Sequence, residues 1–323
     1  MTHSKFIRLL TGVSLGVALA VSIHVESAES KRINIATGGT GGAYYPIGGG
    51  LANMISKNIP NVQATAEVTG GGVDNVKLIK NGKADIGFVN ASVVYDAVNG
   101  LDKFKDGKAD LRVLAALYPN RMHVVTTEST GLQKMGDLKD KRVSTGAPGS
   151  GTEVIAFRIL EAYGLDKDKD IKRERLSATE SVNALKDGKI DAFIFGGAMP
   201  VAAIIDLAAT PGVKIKLIDH GDALDGMNKK YGNVYARGVI PAGTYAGQDK
   251  PSSTIDVYDL LVVGGKFDDK LAYDIAKLMF TNRKDLTTIH KNMEFFTPTG
   301  QAKLATAPLA NGTIRYLKEI KAE

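Results

Sequence analysis

The sequence predicts an α/β fold of two similar lobes, and three observations carry that prediction. The motif Lys-Asn-Gly-Lys-Ala-Asp at 80–85 returns as Lys-Asp-Gly-Lys-Ile-Asp at 186–191, an offset of 106 residues. A Gly-rich loop follows a short apolar strand twice: Thr37, Gly38 and Gly41 reappear as Thr145, Gly146 and Gly149, an offset of 108. Around these landmarks, apolar residues switch between helical spacing and short unbroken runs, the pattern of helices laid over buried strands. At 323 residues the chain has room for about two domains.

Taken in order, residues 1–28 read as a secretory signal peptide. Lys5 and Arg8 precede an uncharged run from Leu9 to Ile23, and small and polar residues follow from Glu26 to Ser30. A membrane anchor needs nearer ~20 apolar residues, and Thr11, Gly12, Ser14, Gly16 and Ser22 dilute this run. No later stretch reaches spanning length, so the expected mature protein is soluble, exported and periplasmic.

Lobe 1 is expected over 29–119 and 237–323. Strand Ile33–Ala36 enters the loop 37–42, and the next helix carries Ile47, Leu51, Met54, Ile55 and Ile59 on one face. Pro46 suits its first turn. A second helix bears Val73, Val76, Leu78 and Ile79; the Lys-Asn-Gly-Lys turn ends it, and Ile86–Val89 forms a buried strand. Val113–Leu117 is a further strand.

Lobe 2 is expected over 120–236. Val124–Thr126 is a strand, and Arg142–Ser144 leads into the loop 145–152 and a helix carrying Ile155, Ala156, Ile159, Leu160 and Tyr163. Val182, Ala184 and Leu185, the second Lys-x-Gly-Lys turn and Ala192–Phe195 repeat the first lobe's plan, and Val213–Ile218 adds a strand. The remainder, with a strand at Leu260–Val263 and helices near 269–281, 284–292 and 313–321, returns to complete lobe 1.

Composition removes several classes of function. The chain has no cysteine, which excludes a disulfide scaffold, a thiolate metal site and a Cys nucleophile. With no Trp and 7% aromatics, an aromatic-walled sugar or nucleic-acid groove is disfavoured. Without the leader the net charge falls from +6 to +5, and no run of like charges offers a nucleic-acid face.

A Gly-rich loop between a strand and a helix presents free N–H groups at a positive helix end, which suits an anion. Two such loops facing each other across a cleft would hold one anionic ligand; each alone also fits a tight turn. Ser150 and Glu153 match a capping box. Gly146 to Thr152 resembles a phosphate loop but has Thr152 where Lys is required. Gly12 to Gly16 copies the spacing of a nucleophile elbow inside the leader, a chance match. Asp166, Asp168 and Asp170 open like a calcium loop, but Ile171 and Ser177 stand where Gly and Glu are needed, so the segment reads as a solvated turn. His123, His220 and His290 are far apart and read as core histidines. No catalytic residue, metal site or cofactor is expected. Tyr44 and Tyr45 fit core or staple packing, or one of the two faces the cleft and stacks on or hydrogen-bonds a ligand.

These residues resemble the TAXI-type solute receptors of tripartite ATP-independent periplasmic (TRAP) transporters. The likeness rests on Ile35 to Pro46, on Leu117-Tyr118-Pro119 with His123-Val124-Val125, on Lys141 to Glu153, on Asp187 to Ala192 and on Ile240 to Tyr245, and it spans 31–323. The resemblance implies a periplasmic-binding-protein-like fold with its ligand cleft between the lobes. It implies a monomeric receptor, not an enzyme, that binds a small anionic solute such as glutamate, a related amino acid or 2-oxoglutarate and delivers it to a membrane permease. Ligand contacts carry over to Gly38, Thr40, Tyr44, Asn90, Gly149, Ser150 and Thr152, with Arg121 and Arg237 as reserve candidates. Two departures stand out. Asn90-Ala91-Ser92 replaces a usual Gln-Ser-Asp, and Ala310-Asn311-Gly312-Thr313 replaces His-Pro-Gly-Ala. The alternative is an enzyme of the same two-lobed plan, a transferase or lyase acting on a small anion.

Overall fold

The computed structural model describes residues 30–323; the expected leader and the Gly12 to Gly16 spacing lie outside them. The first half runs β1 (Lys31–Ala36), α1 (Tyr44–Asn58), β2 (Val62–Glu67), α2 (Gly72–Lys80), β3 (Ile86–Asn90), α3 (Ala91–Asn99) and β4 (Leu111–Thr127). The second repeats the order with β5 (Arg142–Ser144), α4 (Gly151–Ala162), β6 (Lys172–Glu174), α5 (Ala178–Lys186) and β7 (Ala192–Gly197). It continues through α6 (Ala202–Ala208), β8 (Ile215–Leu217), α7 (Leu224–Tyr231) and β9 (Tyr235–Ile240). β10 (Ser252–Gly264) then leads to α8 (Asp269–Thr281), α9 (Arg283–Ile289), α10 (Gln301–Leu304) and α11 (Asn311–Glu319).

The strands lie in the order β2-β1-β3-β10-β4-β7-β5-β6, with β8 on β4 and β9 on β10. Each lobe has a parallel kernel: β1 between β2 and β3, and β5 between β6 and β7. The repeated aspartate explains why the kernels match. Asp85 Oδ2 accepts the N–H of Asn34 at 2.8 Å, and Asp191 Oδ2 accepts that of Arg142 at 2.8 Å. Each ties the turn after a helix to the first strand of its own lobe. Gly82 and Gly188, at φ +65° in both turns, take the left-handed conformation that a Cβ would penalise.

β4 and β10 join the lobes. β4 lies beside β10 from Leu111 to Arg121, and from Arg121 to Val125 its other edge holds β7. β10 pairs with β9 over Ser252–Val257 and with β3 over Asp259–Val263. Two expectations are corrected here. Val113–Leu117 and Val124–Thr126 belong to one strand of 17 residues, which reads as two runs because polar Asn120, Arg121 and His123 interrupt it at the crossing. Residues 237–257 side with the second lobe, so the return lies within β10 near Tyr258 rather than at 237. Tyr245 packs in the second lobe's apolar cluster with Val125, Val182 and Phe193, and its hydroxyl lies 2.8 Å from His123 Nε2. Ser252, Ser253, Thr254 and Asp256 hid the first half of β10 from a search for apolar runs. Among the described residues no helix is long and apolar enough to cross a membrane.

Candidate functional site

Loops follow β1, β2 and β5, Asn90 at the end of β3 caps α3 directly, and the starts of these helices border one cavity. α1 and α3, with α2 after β2, come from the first lobe and α4 from the second, and together with β4, β7 and β10 they surround a cavity that is partly open to solvent. Each helix brings unbonded first-turn N–H groups and the positive end of its dipole. The backbone N–H groups of Gly72, Gly151 and Thr152 donate to no atom of the described residues. Such a convergence can hold an anion without a charged side chain.

The expected residues divide into three groups. Gly38, Tyr44, Asn90, Ser150 and Thr152 line this cavity, drawn from both lobes. Asn90 caps α3, its Oδ1 accepting from Val93 N–H at 3.0 Å, which leaves Nδ2 free beside the cavity. Thr152 Oγ1 accepts from Gly196 N–H at 3.2 Å, so its own proton can still be donated. The Ser150 hydroxyl is spent on capping, donating to Ala147 O at 2.7 Å and accepting from Glu153 N–H at 3.0 Å. Tyr44 turns inward against Phe88, with ring centroids 5.1 Å apart, while Tyr45 is 39% exposed.

Thr40 lies further out, in the mouth of the cleft with Val68, Ser177 and Phe195. Gly149, also expected as a ligand contact, is not among the residues that line the cavity. It sits at φ +77°, where a Cβ would come within 2.2 Å of the Asp74 carboxylate, and its carbonyl accepts the N–H of Asp74 at 3.0 Å. That contact joins the lobes. The half of the capping box assigned to Glu153 is also absent: its carboxylate pairs with Arg175 at 2.5 and 3.1 Å, and the full box forms instead at Ser177 and Glu180 on α5.

Neither reserve arginine reaches the cavity. Arg121 pairs with Asp256 at 3.3 Å, and Arg237 lines a separate surface groove with Asp219 and Asp222. His123 and His220 are buried, bonded to the Tyr245 hydroxyl and to Thr254 Oγ1 respectively, and burial lowers the His123 pKa to about 4. Among the described residues no cluster of His, Cys, Asp and Glu is arranged to hold a metal ion.

Asn120, Phe195, Gly196, Gly197 and Asp259 also line the cavity and were not anticipated. Asp259 is fully buried; Tyr44 Oη donates to it at 2.5 Å, and Asn120 Nδ2 lies 3.0 Å from both of its oxygens. Burial raises its pKa to about 7 against the opposing pull of those hydrogen bonds. Burial also pushes the Tyr44 hydroxyl well above its usual range, with the nearby Asp259 adding to the shift. A signal was present: an acid beside the apolar run Leu260–Val263 is a charge on a buried strand, which needs a reason.

A model described as the NMT1-like family matches residues 35–320. Among solved structures, a protein from Bordetella bronchiseptica RB50 is 17% identical, with 91% of this chain and 99% of that one covered and a TM-score of 0.57. A structure described as a periplasmic transporter is 14% identical over 91% and 94% of the two chains, with a TM-score of 0.54. An ancestral arginine-binding protein bound to arginine is 13% identical over 81% and 98%, with a TM-score of 0.50. At such identities the likeness is one of fold, that of the two-lobed periplasmic binding proteins.

Proposed function

The chain belongs to the NMT1-like family, and from that premise we propose that it is an exported receptor that captures a small carboxylate-bearing solute and hands it to a membrane permease. One observation carries the reading: helix N-termini from both lobes converge on one cavity, with the N–H groups of Gly72, Gly151 and Thr152 free. In this proposal Gly38, Tyr44, Asn90 and Thr152 touch the solute, Ser150 orients its loop, and Thr40 lines the entrance. The fold supports a binding role in which the solute leaves unchanged. The solute class is glutamate, a related amino acid or a 2-oxoglutarate-like dicarboxylate, and the permease is of the TRAP type, both following from the TAXI-like motifs. Residues 1–28 are removed on export, and the mature receptor works as a periplasmic monomer.

A thermal-shift screen of amino acids, organic acids and sugars tests this. A small carboxylate should raise the melting temperature progressively once its concentration exceeds the dissociation constant. Stabilisation by a neutral sugar with no response to any acid would overturn the proposal.

A further inference from the structure

The cavity holds a carboxyl for which an anion site has no use. Asp259 lies on β10 where that strand passes between the lobes, wholly buried in the cavity wall. Among the described residues no Lys, Arg or His lines the cavity, and Arg121, on the neighbouring strand, is committed to Asp256. What surrounds Asp259 is neutral: the Tyr44 hydroxyl from α1, and Asn120 and Tyr118 from β4. Asn120 Oδ1 and the Tyr118 hydroxyl are themselves buried without a hydrogen-bond partner.

The cavity wall therefore carries two sets of groups. One is donors: the N–H groups of Gly72, Gly151 and Thr152, with Asn90 Nδ2 and the Thr152 hydroxyl. The other is acceptors: Asp259 and Asn120 Oδ1. A solute whose only charged groups are carboxylates leaves the buried acceptors unmatched, which is costly. A solute carrying a protonated nitrogen as well as a carboxylate satisfies both sets and supplies the missing counter-charge.

We infer that the site selects solutes carrying a protonated nitrogen as well as a carboxylate, with Asp259 accepting that nitrogen and Tyr44 and Asn120 holding the carboxyl in place. This rests on the receptor reading above and narrows it, excluding the 2-oxo acids. Asp259 is the specificity residue, and the sequence motifs that suggested a solute receptor do not include it.

The test is calorimetric titration of the mature protein with matched pairs: L-glutamate against 2-oxoglutarate, L-alanine against pyruvate, and L-leucine against 4-methyl-2-oxopentanoate, with putrescine as an amine lacking carboxylate. For any pair that binds, the amino member should bind at least about tenfold more tightly, the scale of a charge-assisted hydrogen bond. Asp259→Asn should bring that pair level, and Tyr44→Phe, which frees the carboxyl from its clamp, should narrow the gap. The wild-type comparison stands even if a variant does not fold. A 2-oxo acid binding as tightly as its amino partner overturns the inference and leaves the receptor reading intact. Putrescine binding that Asp259→Asn abolishes keeps the role of Asp259 and overturns the carboxylate reading. Silence from the whole panel counts against both.

Discussion

Gly149, in the loop before α4, and Thr152, in the first turn of that helix, sit three residues apart and do different work. With Gly196 N–H already bound to its oxygen, the Thr152 hydroxyl keeps its proton to donate, and Thr152 lines the cavity. Thr152→Ala should weaken the cognate acid by about ten- to hundredfold, the loss of one hydrogen bond to a charged group, with little change in melting temperature. Arg121→Ala should do the reverse, sparing affinity and lowering stability, because it leaves Asp256 buried without its partner. If titration instead shows binding lost in Arg121→Ala and kept in Thr152→Ala, a guanidinium clamp replaces the backbone account. Gly149→Ala should cost more than about 1 kcal/mol in chemical denaturation, since its positive φ disfavours a Cβ and Asp74 occupies the space. Asp259 carries a pH signature. Its folded carboxyl binds a proton up to about pH 7, whereas the unfolded one releases it near about 3.9. The native state therefore holds the extra proton between those values, and wild-type stability falls relative to Asp259→Asn as pH rises from about 3.9 to about 7, levelling off above that. Denaturation of both proteins at pH 5.5 and 8.5 should show that gap moving in the variant's favour; a constant gap would contradict the burial of the charge.

At the level of elements, helix faces were legible and pairing was not. Ile47, Leu51, Met54 and Ile55 are buried on α1, and Ile155, Ile159 and Leu160 on α4, as three- and four-residue spacing predicts. The apolar stripe announces its own face because burial repeats every turn. No such repeat announces that α3 of one lobe meets α4 of the other. There Arg158 of α4 is inserted between Asp96 at 2.5 Å and Asp102 at 3.2 Å, both from the first lobe, and also donates to Tyr235 Oη at 2.8 Å. Burial lifts the Asp96 pKa to about 6 even with the guanidinium beside it. This pair crosses the lobe interface away from the cavity. Removing one partner of a buried pair leaves the other uncompensated, so Arg158→Met should cost roughly 3–5 kcal/mol. Asp96→Leu added to it should recover much of that loss in the same denaturation series. Equal stability of wild type and Arg158→Met would mean the pair contributes nothing to lobe association.

For the molecule as a whole, two lobes were readable because a duplicated plan leaves duplicated landmarks: the Asp85 and Asp191 ties, the two left-handed glycines, and two strand–loop–helix openings. The strands shared by both lobes were not readable. β4 looked like two strands and β10 like half of one, because their polar residues cluster where they pass between lobes. Asp259 and Asn120 lie on that passage, so the same feature concealed the crossing and part of the candidate site. In the present structure the lobes touch through Asp74 N–H and the Gly149 carbonyl, at 3.0 Å. In the proposed receptor, a solute bound to loops of both lobes would interact more strongly with this arrangement than with a separated one, and that difference would shift the equilibrium toward closure. Small-angle X-ray scattering of the mature protein, with and without a saturating acid found by thermal shift, tests capture between the lobes most directly. The radius of gyration should fall when the solute binds; an unchanged radius at saturation would contradict the account.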